Sequence, residues 1–234
     1  MATMQIESDY KSDVKDQINI ILPYEKIGEY NIENLGEIPS KPIYNIVKRI
    51  IDIVISTIAL IILCIPMIII AIGIKMSSEG SIFYAQERLG LNGRKIQIIK
   101  FRTMKMDAES NGVQWSNGER DARIFPFGRK LRQVRLDEIP QFWCILKGDM
   151  TLVGPRPERE CFYNEFETYI HGFSERLKVK PGLTGLAQVN GGYNLKPEEK
   201  IIYDVEYIKT RSILLDLKLI FKTVAVVMGH KGAK

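Results

Sequence analysis

Asp137 and Glu138 stand side by side directly after RIFPFGRKLRQVR (123–135), a stretch with five cations and no acid. Two carboxylates at a predicted helix start, behind arginines, make a place where a phosphate can be held and attacked. The cations and the helix end offset its negative charge. A phosphate dianion repels a carboxylate, which becomes a nucleophile at phosphorus only when cations shield that charge. The bland alternatives are ordinary helix capping by the acids and a solvated face for the cations. Gly154-Pro155-Arg156-Pro157 fixes one arginine between two prolines. It reads as a guanidinium pre-organised for bidentate phosphate binding, or as a rigid turn with a surface arginine. Lys100-Phe101-Arg102 ends a predicted strand, whose alternation puts Lys100 and Arg102 on one side, facing an anion or solvent. Pro181 to Gly185, followed by Gln188-Val189-Asn190-Gly191-Gly192, is turn-rich and able to offer backbone N–H groups to an anion.

Absences narrow the chemistry. The chain has neither a Gly-Lys-Ser/Thr phosphate loop nor a GxGxxG element, which weighs against an ATPase and a Rossmann dehydrogenase. Two histidines, His171 and His230, exclude a His-rich zinc site, and a Ser-His-Asp triad unless it uses one of them. Three scattered cysteines lack metal-ligand spacing and make a disulfide scaffold unlikely. With 45% apolar and 26% charged residues among 234, the chain is neither largely disordered nor fibrous. The net charge of +5 hides a split: residues 1–42 hold eight acids and four lysines, so residues 43–234 carry +9 and favour anionic partners.

Several elements must position these groups. Residues 53–74 run 22 positions without a charge, about 33 Å as a straight helix, enough for a bilayer core. A plain transmembrane anchor is one reading. Pro66 inside the run predicts a break, and cations lie on both flanks (Lys48 and Arg49, then Lys75 and Arg88), so the positive-inside rule gives no orientation. Both features fit a helix that enters one face of a membrane, bends at Pro66 and returns. Asp52, three residues after Arg49, reads as its i,i+3 partner at the entry to the run, or as a plain helix-start residue. The first apolar run begins too late for a cleavable signal peptide. The expected division is an acidic tail (1–42), a proline-broken membrane helix (43–75) and a mixed α/β domain with a small irregular sheet (76–234). Strands are predicted at 81–86 and 96–101, and helices at 138–147 (Asp137 as N-cap, Gly148 as stop), 158–170, 197–209 and 213–228. The last, with Lys218 and Lys222 on one side, is predicted to be interfacial.

Taken in order, Lys48-Arg49 before a proline-broken apolar helix, KFRTM (100–104), LDEIPQ (136–141), LKGDMTLVGPRPE (146–158), KPGLTGLAQVNG (180–191) and LLDLK (214–218) resemble the bacterial sugar transferase family. These are monotopic phosphoglycosyl transferases that start polysaccharide and glycoconjugate assembly. The resemblance covers about Lys48 to Lys222. It implies a re-entrant helix and a catalytic domain on the cytoplasmic face of the bacterial inner membrane. It also implies Asp137 as a nucleophile toward the β-phosphorus of a UDP-sugar, with Glu138 as its partner. The products are UMP and then a polyprenyl-diphosphate sugar. Mg²⁺ is expected at Asp137, phosphate contacts at Arg132 and Arg156, and substrate-facing roles at Lys100, Arg102, Asp204 and Gln188. The implied partners are a UDP-sugar, polyprenyl phosphate and the bilayer, with no nucleic acid; a homo-oligomer is compatible. Ile65 replaces the usual serine before the helix-break proline. Leu89 replaces the proline of Arg-Pro-Gly, and Gly192 replaces an arginine for which Lys180 or Lys196 could substitute. The competing class is a non-catalytic, membrane-anchored basic module binding anionic lipid or nucleic acid. A bitopic anchor is the competing topology.

Overall fold

In the computed structural model, residues 20–21, 28–110, 112–114, 121–191 and 195–228 are described. The 21-residue helix α1 (Pro42–Ile62) opens with Pro42 at its first position, where the missing N–H costs nothing. It breaks at Leu63, and α2 (Cys64–Ser77) continues at a bend of 60°. Pro66 lies in the first turn of α2, so the N–H it lacks is one a continuous helix would have bonded to Ile62. Among the described residues no single helix is long and apolar enough to cross a membrane. The bent pair together has that length and composition.

Both limbs of the bent pair dock on one globular lobe. From α1, Lys48 Nζ donates to Asp216 Oδ2 (2.6 Å) and to the Val153 carbonyl (2.9 Å). Arg49 donates to the carbonyls of Ile145 and Leu146, both at 2.6 Å. Asp52 therefore does not pair with Arg49. Its carboxylate accepts from Thr151 Oγ1 (2.7 Å) and Leu152 N (2.9 Å), because the lobe offers two donors that water would otherwise have to satisfy. From α2, Ile70 and Ile74 enter a core cluster with Phe101, Phe125, Leu131 and Ile139.

The lobe is built from short pieces. Strands β1 (Ile20–Ile21) and β2 (Tyr30–Asn31) precede α1. Then come β3 (Phe83–Leu89) and β4 (Lys95–Phe101), paired antiparallel with Tyr84 opposite Lys100. The turn between them holds Asn92 and Gly93 at positive φ, as the Gly90–Gly93 composition predicts. There follow β5 (Val113–Gln114), α3 (Pro126–Gln133), α4 (Gln141–Lys147), β6 (Thr151–Val153), α5 (Glu160–Glu167), β7 (Ile170–His171), β8 (Gly182–Thr184), α6 (Leu186–Asn190), α7 (Pro197–Thr210) and α8 (Ile213–Met228). Among the described residues the strands form four two-stranded ladders, β1–β5, β2–β7, β3–β4 and β6–β8. Beneath them lie a core around Ile98, Ile145, Met150 and Tyr207, and an aromatic one in which Phe166 meets Tyr169 and Phe173 edge-on.

Residues 28–41, to which the sequence assigned no chemistry, are bound to the lobe. Leu35 and Ile38 pack on the first core and Tyr30 and Ile32 on the aromatic one, while Lys178 donates to the Gly36 carbonyl. Helix α8 buries Asp216 and Leu219 and leaves Leu214, Phe221 and Val224 exposed, so its apolar residues lie on two sides.

The Asp52 contacts generate a stability test. Asp52→Ala leaves the Thr151 hydroxyl and the Leu152 N–H without an acceptor, at a cost of about 1–3 kcal/mol. The expected result is a lowered melting temperature in detergent, partly recovered in Asp52→Asn. An unchanged melt would mean the contact does not anchor the helix.

Candidate active site

Asp137 and Glu138 lie on a short 3-10 turn, Leu136–Glu138, rather than capping the next helix. Helix α4 begins only at Gln141, because Pro140 supplies its N-cap backbone and the chain tightens before it. Arg135 enters the turn in the left-handed region (φ 56°), which costs a non-glycine residue about 1–2 kcal/mol. That kink separates α3 from the carboxylate turn. Both carboxylates are buried, with Asp137 6% and Glu138 5% exposed.

The two acids are treated differently. Glu138 Oε1 accepts from Arg156 (2.5 Å) and Lys100 Nζ (3.2 Å). Burial works to raise its pKa, but Arg156 and Lys100 outweigh it and hold the carboxyl far below the usual range. Asp137 has no hydrogen-bond or ion-pair partner among the described residues, and it borders a cavity of about 370 Å³. Burial first, and then the charge on Glu138, push its carboxyl above the ordinary range, against the pull of Lys100, Arg132 and Arg156. One carboxylate is thus locked and the other left without a partner among the described residues, a difference of environment of the kind that separates the roles of paired acids.

The cavity is strongly cationic. Eleven of its lining side chains are Lys or Arg, against three acids. Of those acids, Glu158 pairs with Arg88 (2.8 Å) and Glu109 with Arg159 (2.6 Å), which leaves Asp137 unpaired. Such a cavity fits a polyanion.

Close backbone approaches place the cations. A Cβ on Gly128 of α3 would lie 2.3 Å from the Thr103 carbonyl oxygen, so only glycine allows this contact. One turn later Arg132 Nε donates to Thr103 Oγ1 (2.8 Å) and borders the cavity beside Asp137. Gly154 and Gly182 likewise face each other: a Cβ on Gly182 would sit 2.0 Å from Gly154 N. That contact pairs β6 with β8 and carries Arg156 to the dyad on one side and Gln188 to the cavity wall on the other. The turn-rich segment does not present these N–H groups to an anion. Gly182 N donates to the Pro155 carbonyl and Gly154 N to that of Thr184.

Two expected substrate contacts have other work. Arg102 spends its three nitrogens on Ser81 O, Ser78 Oγ and Ser78 O, so it borders the cavity as a tie to the exit of α2. Asp204 lies outside the cavity lining, in a buried ion pair with Arg176 (2.6 Å). Arg176 also donates to the Arg156 carbonyl (2.8 Å), so Asp204 acts at a distance by fixing the segment that aims Arg156. Arg176, Arg88, Glu158 and Arg159 were not singled out as site residues. Glu158 stood within a recognised block and Arg88 in a departure from the family's Arg-Pro-Gly, whereas nothing local marks Arg176. Lys180 and Lys196 do not border the cavity, and Gly192 lies outside the described residues.

Among the described residues no three His, Cys, Asp or Glu side chains gather as a metal cluster. A magnesium ion needs none: it keeps several waters and takes one or two carboxylates plus substrate phosphates. The unpaired Asp137 beside a polyanion cavity fits that kind of site.

The sequence that builds this bent apolar helix pair and cationic cavity has relatives among characterised proteins. The bacterial sugar transferase family model matches residues 43–230, and the chain belongs to that family. It is 37% identical, over 89% of its length, to a UDP-N-acetylgalactosamine-undecaprenyl-phosphate N-acetylgalactosaminephosphotransferase of Aeromonas hydrophila, covering 50% of that protein. It is 38% identical, over 89% of its length, to a UDP-glucose:undecaprenyl-phosphate glucose-1-phosphate transferase of Xanthomonas campestris pv. campestris, covering 45% of it. With the exopolysaccharide production protein ExoY of Sinorhizobium fredii it shares 36% identity over 82% of its own length and 90% of that protein. The chain spans about half the length of the first two.

The opposite treatment of the two acids is testable by stability. A carboxyl whose folded pKa is raised weakens the fold as pH climbs through that pKa. One whose pKa is depressed supports the fold above its unfolded value and loses that support on acidification. Asp137→Asn is therefore expected to melt higher than the native chain at pH 7, with the gap closing toward pH 4. Glu138→Gln, which removes the charge that Arg156 and Lys100 share, is expected to lose about 3 kcal/mol. Thermal melts across pH 4–8 check both; equal shifts for the two variants would refute the assignment.

Proposed function

We propose that the protein transfers a sugar phosphate from a UDP-sugar to polyprenyl phosphate. The observation that carries this reading is the unpaired, buried Asp137 on a cationic cavity, in a chain whose relatives are named for that reaction. In the first step Asp137 Oδ attacks the β-phosphorus of the nucleotide sugar. A carboxylate–phosphorus bond forms, the bond from that phosphorus to the bridging oxygen breaks, and UMP leaves with that oxygen. In the second step an oxygen of polyprenyl phosphate attacks the same phosphorus and releases the carboxylate, giving polyprenyl-diphosphate sugar. No net proton is needed in either step, which suits a cavity that offers cations rather than a general base. Arg132 and Arg156 face the phosphates, and Lys100 with Arg156 keeps Glu138 from competing for them. Mg²⁺, held by Asp137 together with substrate phosphates, supplies further charge neutralisation when bound.

The membrane placement belongs to the same proposal. Ile61, Ile62, Ile65 and Ile69 at the bend are 63–71% exposed, and each side chain removed from water gains about 1.5–3 kcal/mol. Both limbs bind one lobe, which supports a hairpin that enters and leaves the cytoplasmic face of the inner membrane. A soluble nucleotide sugar and a lipid-borne phosphate then use one site in turn. The convergence of cations on a buried acid favours this reading over a non-catalytic basic module.

The chemistry is tested with a UDP-sugar panel, undecaprenyl phosphate and a UMP-release readout. Native protein is expected to release UMP, to lose activity in EDTA and to regain it with Mg²⁺. Asp137→Asn is expected to drop at least a thousandfold, and donor labelled in the sugar should leave an adduct on the native chain only. Full turnover by Asp137→Asn would reject the nucleophile.

The topology is tested with Ser40→Cys and Glu79→Cys, both at exposed positions, in a Cys64→Ser background. An impermeant maleimide is expected to label neither in intact spheroplasts and both after the inner membrane is opened. Labelling from opposite sides would refute the hairpin.

A further inference from the structure

Gln188 is 8% exposed and borders the cavity, yet neither its Oε1 nor its Nε2 has a hydrogen-bond partner among the described residues. Leaving a buried amide unpaired costs about 1–3 kcal/mol per group, so its orphaned atoms need an account. The backbone makes room for the side chain. It lies on α6 just after Gly185, where a Cβ would come within 2.7 Å of Gln188 Oε1 and 2.3 Å of the Gly154 carbonyl oxygen. The same contact sets the segment leading to Arg156, so the amide stands on the chain that aims the dyad's cation.

The chemistry of the amide says what it meets. Nε2 donates and Oε1 only accepts. Phosphate oxygens in a cationic cavity are acceptors, so a phosphate would satisfy Nε2 and leave Oε1 facing negative oxygen. The phosphates already have the lining arginines and lysines. Pairing both ends of the amide takes a neutral edge carrying a donor and an acceptor.

Resting on the proposed reaction, we infer that Gln188 reads such an edge of the nucleotide sugar, on a sugar hydroxyl or acetamido group or on the uracil imide, and does not hold phosphate. Polyprenyl phosphate in its dianionic form carries no hydrogen-bond donor. Gln188 therefore belongs to recognition of the donor substrate and not of the lipid acceptor.

The test uses the full chain in detergent or nanodiscs and the variants Gln188→Met, which keeps the length and removes both polar atoms, and Gln188→Glu, which keeps an acceptor and removes the donor. Melting temperature, kcat/KM for UDP-glucose, UDP-galactose and their N-acetylated counterparts, KM for undecaprenyl phosphate, and UMP affinity by calorimetry are measured. Gln188→Met is expected to lower kcat/KM about tenfold, the worth of one or two neutral hydrogen bonds, with KM for the lipid within twofold. Its melting temperature should hold or rise, since the orphaned amide is gone. A loss that differs between sugars with UMP affinity unchanged assigns the edge to the sugar. A uniform loss with weakened UMP binding assigns it to uracil. Values within twofold for every donor, a raised lipid KM alone, or a lowered melting temperature accompanying the loss would overturn the inference. If the native protein binds UMP but turns over no UDP-sugar, the reaction itself is rejected, and calorimetry of UMP and the UDP-sugars on the same variants decides on Gln188: affinities within twofold of native for all of them overturn it.

Discussion

Two carboxylates cannot sit buried side by side without cost, and the way this molecule divides that cost governs its site. Arg156 and Lys100 both close on Glu138, which they hold ionised. The charge they stabilise then presses on Asp137, which is buried but unpaired. The same cations also pull on Asp137, but its burial and the charge on Glu138 outweigh them. An acid left in that condition gains from any event that removes its charge, and forming a bond to phosphorus is such an event. The ion pairs behind the dyad extend this logic. Asp204 neutralises Arg176, Arg176 holds the Arg156 carbonyl, and the chain around Arg156 cannot drift from Glu138.

The bent helix pair is bound to this arrangement by polar contacts rather than by apolar ones alone. Lys48, Arg49 and Asp52 face the lobe and bond to Val153, Ile145, Leu146, Thr151 and Leu152. Those partners flank α4 and β6, the elements that follow the dyad and lead to Arg156. At the other limb, Arg102 ties Ser78 and Ser81 to the cavity wall. Moving the hairpin would therefore disturb the cavity from two sides. The polar groups of α1 are thus accounted for by their partners on the lobe.

Much of this was legible in the sequence for identifiable reasons. The β3–β4 hairpin announced itself through alternation and a Gly-Asn-Gly turn, and α7 and α8 through Pro and acid at the start and long apolar periodicity. The carboxylate pair and Arg156 stood out by their juxtaposition with the cationic stretch and by the family resemblance, and the fold brings Arg156 to Glu138. What failed was everything decided by long-range partners. Arg49 and Asp52 are three residues apart and were paired by spacing, yet the lobe supplied better partners for both. Arg102 and Lys100 share a strand face and only Lys100 reaches the dyad, because the exit of α2 captures the other. Arg176 has no local signature, since its role comes from Asp204 and Arg156 meeting it across the fold. The role of residues 28–41 was invisible for a similar reason: Leu35 and Ile38 carry no periodic pattern, and only the finished core shows what they fill.

The glycines complete the argument by explaining why so few residues suffice. Gly128, Gly154 and Gly182 each stand where a Cβ would collide with backbone. Each contact lets one chain segment touch another directly, and Gly128 and Gly154 lie within four residues of the cavity-lining Arg132 and Arg156. Without side chains between them, the segments pack backbone to backbone, and the side chains of Arg132 and Arg156 are then held by Thr103 Oγ1 and Glu138. Arginines held this way can balance a developing phosphate charge without first reorganising, which is where preorganised electrostatics gains its advantage. A cavity made of flexible surface lysines would hold the same net charge and lack that property. The cost appears at Arg135, forced into a left-handed conformation so that the turn after α3 can bring Asp137 to the wall. Strain at that one residue is local, and it adjoins the acid that the fold leaves buried and unpaired among the described residues.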